Sequence, residues 1–271
     1  MAPVKFDDLN KVAKSVLSDD YINMGSPFQF KAKQKVCCGT VTTTVDLNQD
    51  GKNATSGVVS WKLSNPMGIN GLAVDKFEYN KNGGMKLEGT LNKSIHKVDG
   101  LSVEFKTDLQ DPLGKLKKGI TYTGLADTQV KFETAVLKPD AFTAEVTRVQ
   151  GPATIGAKVA GSNVDVGLRM SVSGLFTSLL VTKAFSTFEG AVHYKVNKTL
   201  EVAALATKDN KGVSASGGIK FVLNDALTLK AKATDKGVAH VLATYKPAKG
   251  FTVHSGASFG KDVSYGVQLN I

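Results

Sequence analysis

The feature that most constrains this chain is an alternation of apolar and polar side chains that begins at Phe28 and continues to the last residue. The stretch V-D-V-G-L-R-M-S-V at 164–172 is typical, because every second residue is valine, leucine or methionine and the residues between them are polar or glycine. Successive side chains of a β-strand point to opposite faces of the sheet, so a period of two predicts strands with one apolar and one polar face. The chain from residue 28 onward is therefore expected to be all-β.

Turn signals such as D-N-K-G at 209–212 and P-A-K-G at 247–250 divide this region into about nineteen segments of roughly 8 to 11 residues. They begin near residues 28, 39, 55, 69, 85, 101, 117, 128, 141, 153, 164, 175, 187, 199, 212, 226, 237, 251 and 262. Strands of this length and alternation are typical of transmembrane β-barrels. A sheet of so many strands closes on itself, which leaves no unpaired backbone edge in lipid and encloses an aqueous channel. The predicted fold is a closed transmembrane β-barrel of about nineteen strands, in which the facing of 69–80 and 175–186 is open because apolar residues occupy both parities there.

A short amphipathic α-helix is predicted ahead of the barrel. Between Phe6 and Leu17, apolar residues recur at steps of three and four, and Asp7 and Asp8 stand in the first turn. G-S-P at 25–27 ends the helical pattern. The predicted organisation is an N-terminal helix and hinge at 1–27 and a transmembrane β-barrel at 28–271. The helix could line the lumen or serve as an amphipathic anchor, and its two acids argue against the anchor.

Several classes of function are disfavoured. The longest apolar run, Val202–Ala206, is far shorter than the roughly 20 residues of a membrane-spanning helix. The net charge is +10, but the positive residues are spread along all the strands without interleaved aromatics, so no nucleic-acid partner is expected. The four histidines lie in separate segments without metal-binding spacing, and neither an enzyme nor a cofactor or metal site is predicted. On alternation alone, a soluble all-β binding protein stays open as an alternative.

Both ends of the chain resemble a known family. F-D-D-L-N-K-V-A-K at 6–14 is similar to the aromatic-x-D-L-x-K-x-x-[RK] pattern that opens the eukaryotic mitochondrial porins, the voltage-dependent anion channels. The matching positions are Phe6, Asp8, Leu9, Lys11 and Lys14. H-Y-K-V-N-K-T-L-E at 193–201 resembles a further segment of the family, and the chain from residue 218 to the final G-V-Q-L-N-I resembles its last four strands. The likeness is faint between residues 38 and 190.

The resemblance implies a nineteen-stranded barrel in the mitochondrial outer membrane, with the N-terminal α-helix in its lumen. It implies voltage-dependent, weakly anion-selective diffusion of small ions and metabolites such as adenine nucleotides, with the lipid bilayer as a partner and homo-oligomers as a further expectation. The protein-import pore that shares this barrel is the alternative function. Two departures bear on these expectations: Ser102 replaces the lysine of a family G-L-K triplet linked to nucleotide contact, and the family's glycine-rich hinge is reduced to Gly25.

The candidate site is the polar face of the strands together with the helix. Its cations are expected to line the pore and to raise the local concentration of anions. They are Lys11, Lys14, Lys31, Lys33, Lys35, Lys158, Arg169, Lys195, Lys220, Lys230 and Lys232. Asp75 is the nearest match to a membrane-facing acid that some family members carry on the fourth strand. No catalytic residue is predicted.

Overall fold

The computed structural model describes residues 3–19, 21, 28–47, 56–92 and 96–271 of the chain. These residues form nineteen β-strands, which confirms the predicted number, and every strand starts within three residues of its predicted position. The strands are β1 (Phe28–Val36), β2 (Gly39–Leu47), β3 (Ser56–Ser64), β4 (Leu72–Asn80), β5 (Met85–Leu91), β6 (Leu101–Asp108), β7 (Lys117–Tyr122), β8 (Thr128–Ala135), β9 (Lys138–Gln150), β10 (Ala153–Ala160), β11 (Asn163–Val172), β12 (Leu175–Thr182), β13 (Thr187–Lys195), β14 (Leu200–Asp209), β15 (Gly212–Val222), β16 (Leu227–Thr234), β17 (Ala239–Ala248), β18 (Phe251–Phe259) and β19 (Val263–Asn270). A 3-10 turn over Pro66–Gly68 connects β3 to β4.

The strands form one closed barrel. Each strand pairs antiparallel with its neighbours in sequence, and β1 pairs parallel with β19 from Phe28 opposite Val267 to Lys31 opposite Asn270. An odd number of strands requires one such parallel pair, because the first and last strands then run in the same direction. Beyond it, the Lys33 backbone amide donates to the Ile271 carbonyl at 2.6 Å. The predicted closed β-barrel is confirmed.

The barrel has an apolar outer face and a polar inner face. Leu168 and Leu179 are opposite each other in β11 and β12, and they are 44% and 50% exposed on the outside. On the inside, Arg169 stands opposite Ser178 and both are buried. Several aromatic side chains of the outer face lie near the strand ends at both rims, as in membrane barrels. Near the rim that holds the C-terminal residue, here the C-terminal rim, are Tyr122, Tyr194, Phe221 and Phe251, and near the opposite rim are Phe28, Tyr79, Phe188, Phe259 and Tyr265.

The N-terminal segment lies inside the barrel, but it is not the single helix that the periodicity predicts. A 3-10 turn spans Phe6–Asp8 and the α-helix, α1, spans Lys11–Leu17. Asn10 separates them with φ −106° and ψ 8°, and its side-chain amide donates to the Glu189 carboxylate on β13. The contact with the wall favours a break in the helix at this point. The hinge around Gly25 and Pro27 lies outside the described residues.

The two segments of ambiguous parity have separate explanations. In β12, Leu180 faces inward because it packs against Phe6 and Leu9 of the N-terminal segment, so β12 carries apolar residues on both faces. In β4, the register shifts between Val74 and Lys76, and Asp75 is the extra residue of a β-bulge. The bulge moves the apolar residues from one parity to the other. Among the described residues, no helix has the length and hydrophobicity needed to cross a bilayer.

Candidate functional site: the inner wall of the barrel

The N-terminal segment rests in a niche on the inner wall. Phe6 and Leu9 are buried against Leu180 of β12. Gly167 on β11 forms part of the floor, because a Cβ atom there would come within 2.7 Å of methyl carbons of both Leu9 and Leu180. The absence of a side chain at this position therefore lets the segment approach the sheet.

A second apolar contact holds α1 itself. Ala13, Val16 and Leu17 pack against Ala191 of β13 and Ala203 of β14, and all five are buried. Small inward residues leave room for a helix that a leucine or a phenylalanine would exclude. The amphipathic stripe of the N-terminus thus faces the wall and not the centre of the lumen.

Charged side chains of the wall tie down both ends of this segment. The Lys158 ammonium on β10 lies 2.8 Å from the Asp7 carboxylate. The Lys230 ammonium on β16, 7% exposed, donates to the carbonyls of Ser15 at 2.9 Å and of Asp19 at 3.2 Å. A cation at the C-terminal end of a helix satisfies unpaired carbonyls and complements the helix dipole. Two predicted pore-lining cations therefore lie on the inner side and hold the N-terminal segment.

The cations of the helix are themselves in ion pairs. Lys14 lies 3.2 Å from the Glu189 carboxylate on β13, which also accepts the amide of Asn10. Lys11 pairs with Asp8 at 3.3 Å within the segment. The two predicted lysines of the helix are thus partly neutralised.

The lysines of β1 have a different environment. Lys31, Lys33 and Lys35 share the inward parity of β1, and their partners on β2 are threonines, at 44, 42 and 40. Within the described part of the chain none of the three lysines has an ion-pair partner. They form a row of positive charge, here called the β1 lysine row, and the acid nearest to it on β2 is Asp46, which accepts a hydrogen bond from Gln29. The inward-facing Lys62 of β3 continues the row, and the sequence analysis did not include it.

The other predicted cations are spread over β11 to β16. Arg169 donates to the Thr154 hydroxyl at 3.2 Å, and Lys220 pairs with Glu201 at 3.1 Å. Lys195 also has the inward parity, at the end of β13. The Lys232 ammonium lies 4.4 Å from the centre of the Tyr21 ring, in a cation–π contact. Burial raises the pKa of Tyr21 to about 12, so this phenol stays neutral beside the lysine.

The inner wall also carries acidic residues, whereas the predicted site comprised cations alone. Glu104 and Glu133 face inward on β6 and β8 and share the Lys131 ammonium at 3.6 and 3.8 Å. Glu133 also pairs with Lys106 and with Lys117, each at 3.7 Å. The parity rule that identified the lysines would have identified these glutamates. This part of the wall is an ion-paired network, in contrast to the β1 lysine row.

Asp75 and Ser102 both lie on the inner side. The Asp75 carboxylate accepts a hydrogen bond from the Thr90 hydroxyl and borders a recess with Glu88 and Glu104. The resemblance implied a membrane-facing acid, whereas Asp75 lies at the β-bulge of β4 on the same inner side as Thr90. Ser102 stands opposite Thr121 on the inward parity, with Glu104 as the next inward residue of its strand.

No cluster of three or more histidine, cysteine or acidic residues that could hold a metal occurs in the described ranges. Cys37 and Cys38 are exposed in the turn between β1 and β2, with their sulfurs 3.8 Å apart and unbonded. Hydrogen bonding and charge interaction with Cys37 raise the pKa of the Cys38 thiol. The inner wall thus presents charged side chains and a niche for the N-terminal segment.

Comparison with known proteins shows a similarity in sequence. The chain is 24% identical to the mitochondrial outer membrane protein porin of Candida albicans, over 96% of this chain and 93% of that protein. Among solved structures, a mutant of the Rh. blastica porin matches with a TM-score of 0.48 and 9% identity over 85% of this chain and 89% of the other. An outer membrane protein of Vibrio cholerae matches with a TM-score of 0.39 and 11% identity over 88% and 93%. No family model matches. The chain is thus similar to a fungal mitochondrial porin over most of its length.

Proposed function

We propose that this protein is a diffusion pore of the mitochondrial porin type, which passes small ions and metabolites with a weak preference for anions. The observation that carries the proposal is the reversed polarity of a closed barrel, with leucines such as Leu168 exposed outside and charged side chains inside. In a bilayer, the closed barrel pairs the backbone hydrogen-bonding groups of every strand with those of its neighbours, and its interior is filled with water. The similarity to the Candida albicans porin supports a pore-forming channel of this kind and a place in the mitochondrial outer membrane.

The preference for anions follows from the β1 lysine row. Threonines stand opposite its three lysines on β2, whereas the inward lysines of β6 to β8 are paired with glutamates. In a water-filled lumen at physiological salt the screening length is about 8 Å, so the row attracts anions only near the wall. We therefore expect a weak selectivity that fades as salt rises. Adenine nucleotides are polyanions, so the same attraction would act on them in transit.

Voltage dependence would come from the N-terminal segment. It carries acids and lysines and is held by polar contacts such as those of Lys158 and Lys230. A unit charge that crosses the whole membrane field gains about 2.3 kcal/mol per 100 mV, which is comparable to the strength of such contacts. A shift of the segment in the field would narrow or widen the lumen.

The test is single-channel recording of the refolded full chain in a planar bilayer under a salt gradient. We expect large conductance steps, a reversal potential of anion sign, and a smaller reversal potential at high ionic strength. Replacing Lys31, Lys33 and Lys35 together by glutamine should move the reversal potential towards zero. Lys118→Gln is the matched control, because Lys118 faces outward on β7 and contributes no charge to the lumen.

The outcomes separate the alternatives. Cation preference together with block by presequence peptides would favour the protein-import pore. The absence of any conductance in folded protein would refute a pore and would favour the alternative of a soluble all-β binding protein. Unchanged selectivity in the triple variant would refute the role of the β1 lysine row alone. Deletion of residues 1–20 should blunt the voltage response, and unchanged gating would refute the role of the N-terminal segment.

A further inference from the structure

One arginine of the barrel faces outward near the C-terminal rim. Arg148 lies on β9, two residues before the strand ends at Gln150, and its neighbour two positions away, Val146, is 42% exposed on the same outer face. Its cross-strand partners are Thr128 on β8 and Ile155 on β10. Within the described ranges Arg148 has no hydrogen-bond or ion-pair partner. A guanidinium in this position is available to a ligand on the membrane side.

An apolar groove begins beside this arginine. It has a volume of about 500 Å³, and Arg148 belongs to its lining. The register places Ala157 opposite Val146 and Val166, one step further from the rim than the row of Arg148, Ile155 and Leu168. Because alanine is the smallest side chain of its row, the surface is depressed there. The walls are apolar and the cation stands at the end nearest the rim.

We propose that this groove is a binding site for one anionic phospholipid, whose negatively charged phosphate contacts Arg148 while an acyl chain lies over Ala157. The proposal rests on the proposed function only in that the outer face meets a bilayer. The guanidinium presents a fork of donors that matches phosphate oxygens in two-point contact. Its place near the strand end corresponds to the membrane interface, where headgroups lie and where arginine side chains reach for them.

The charge of Arg148 and the apolar groove beside it together favour a lipid as the occupant. A soluble anion would bind Arg148 but would leave the apolar groove open. A zwitterionic lipid such as phosphatidylcholine would fill the groove, but the choline cation beside its phosphate offsets the attraction to Arg148. The groove runs along the outer face towards Leu179 and Val181, which are side chains of the lipid-facing band. An amphiphile with an acidic head and an apolar chain matches both parts at once.

The experiment is native mass spectrometry of the full chain, purified in detergent and mixed with equal amounts of phosphatidylglycerol and phosphatidylcholine of identical chain composition. The wild-type barrel should retain one phosphatidylglycerol in preference to phosphatidylcholine. Arg148→Gln should weaken retention of phosphatidylglycerol about tenfold, the size expected for loss of a charge-assisted contact. Arg148→Lys should retain part of the preference.

Two further variants separate the arginine from general electrostatics. Lys118→Gln removes an outward-facing cation near the opposite rim and should leave retention unchanged. Ala157→Phe fills the groove without changing charge and should lower retention of phosphatidylglycerol although Arg148 is present. Circular dichroism of each variant confirms that the barrel is folded, which is expected because these side chains are on the surface.

Equal retention of the two lipids by the wild-type barrel would overturn the proposal, as would an equal loss in Arg148→Gln and Lys118→Gln. An unaltered preference in Ala157→Phe would overturn the placement of the chain in the groove. Conductance is recorded on the same samples. A lipid preference without conductance would refute the pore and support the lipid site. Conductance without a lipid preference would support the pore and refute the lipid site.

Discussion

Lys230→Met should release the C-terminal end of α1 from the wall while the barrel stays intact. The Lys230 ammonium is 7% exposed and donates to the Ser15 carbonyl at 2.9 Å and the Asp19 carbonyl at 3.2 Å. Methionine keeps much of the length and apolar bulk of the side chain, so the substitution removes the charge and the two hydrogen bonds with little loss of packing. The two carbonyls lose a donor that the helix itself cannot replace.

The magnitude follows from the number and kind of contacts. A hydrogen bond to a charged group contributes about 1.5–3 kcal/mol, and the buried ammonium offsets part of this by its own desolvation. We therefore expect a loss of about 2–4 kcal/mol in the free energy of docking, which is roughly a 30- to 800-fold increase in the undocked population. A helix of seven residues is not stable alone in water, so an undocked α1 unfolds.

Hydrogen exchange of the refolded barrel in detergent measures this population. The Ser18 amide, bonded to the Lys14 carbonyl at 2.8 Å, should exchange faster by the same factor, while strand amides of β16 keep their protection. Lys220→Met is the matched control, because Lys220 stands opposite Lys230 on β15 but binds Glu201 and not the helix. Unchanged exchange in Lys230→Met, or an equal increase in Lys220→Met, would refute the reasoning.

Three further predictions concern other parts of the molecule. Leu168→Arg places a charge in the outer apolar band and should cost roughly 2–4 kcal/mol of barrel stability in urea unfolding; a negligible cost would mean that Leu168 meets water. Gly167→Val should overpack the niche and weaken docking of the N-terminal segment by about 1–3 kcal/mol, seen as faster proteolysis of that segment. Gly190→Val, where a new Cβ has no atom within 4 Å, should have no such effect. The raised pKa of Cys38 means less thiolate at neutral pH, so its alkylation should accelerate only in alkaline solution. Cys37→Ser should shift that rate profile to lower pH, and an unshifted profile would contradict the stated cause.

The number of strands and their positions were predictable because alternation and turn residues are local signals. The alternation of apolar and polar side chains within a β-strand indicates which residues face outward, and this holds for each of the nineteen strands separately. Alternation failed to predict the orientation of a side chain where that orientation depends on a contact with a residue distant in the sequence. Leu180 faces inward because of Phe6 and Leu9, and no local pattern around β12 reports the N-terminal segment.

The sequence predicted that the inner wall is polar, but it did not predict which of its charged side chains form ion pairs. Parity alone places Lys131 and Glu104 on one face, whereas their contact depends on the relative positions of β6 and β8, which are not neighbours in the sheet. For the same reason the sequence could not separate the β1 lysine row from lysines that glutamates neutralise. Asp75 shows a different failure, because its outward placement came from the family resemblance and the local pattern over 69–80 did not reveal the β-bulge at this residue.

The parallel seam between β1 and β19 has a consequence for how the molecule folds. Phe28 pairs with Val267, so closure of the barrel joins residues from nearly opposite ends of the chain. Such non-local pairing makes folding slow, since the loss of chain entropy precedes the gain from contact. Until the seam forms, β1 and β19 both present open edges, which are sites of aggregation. We infer that the chain is most prone to aggregate after synthesis and before the barrel closes, and that a folding chaperone would act in this interval.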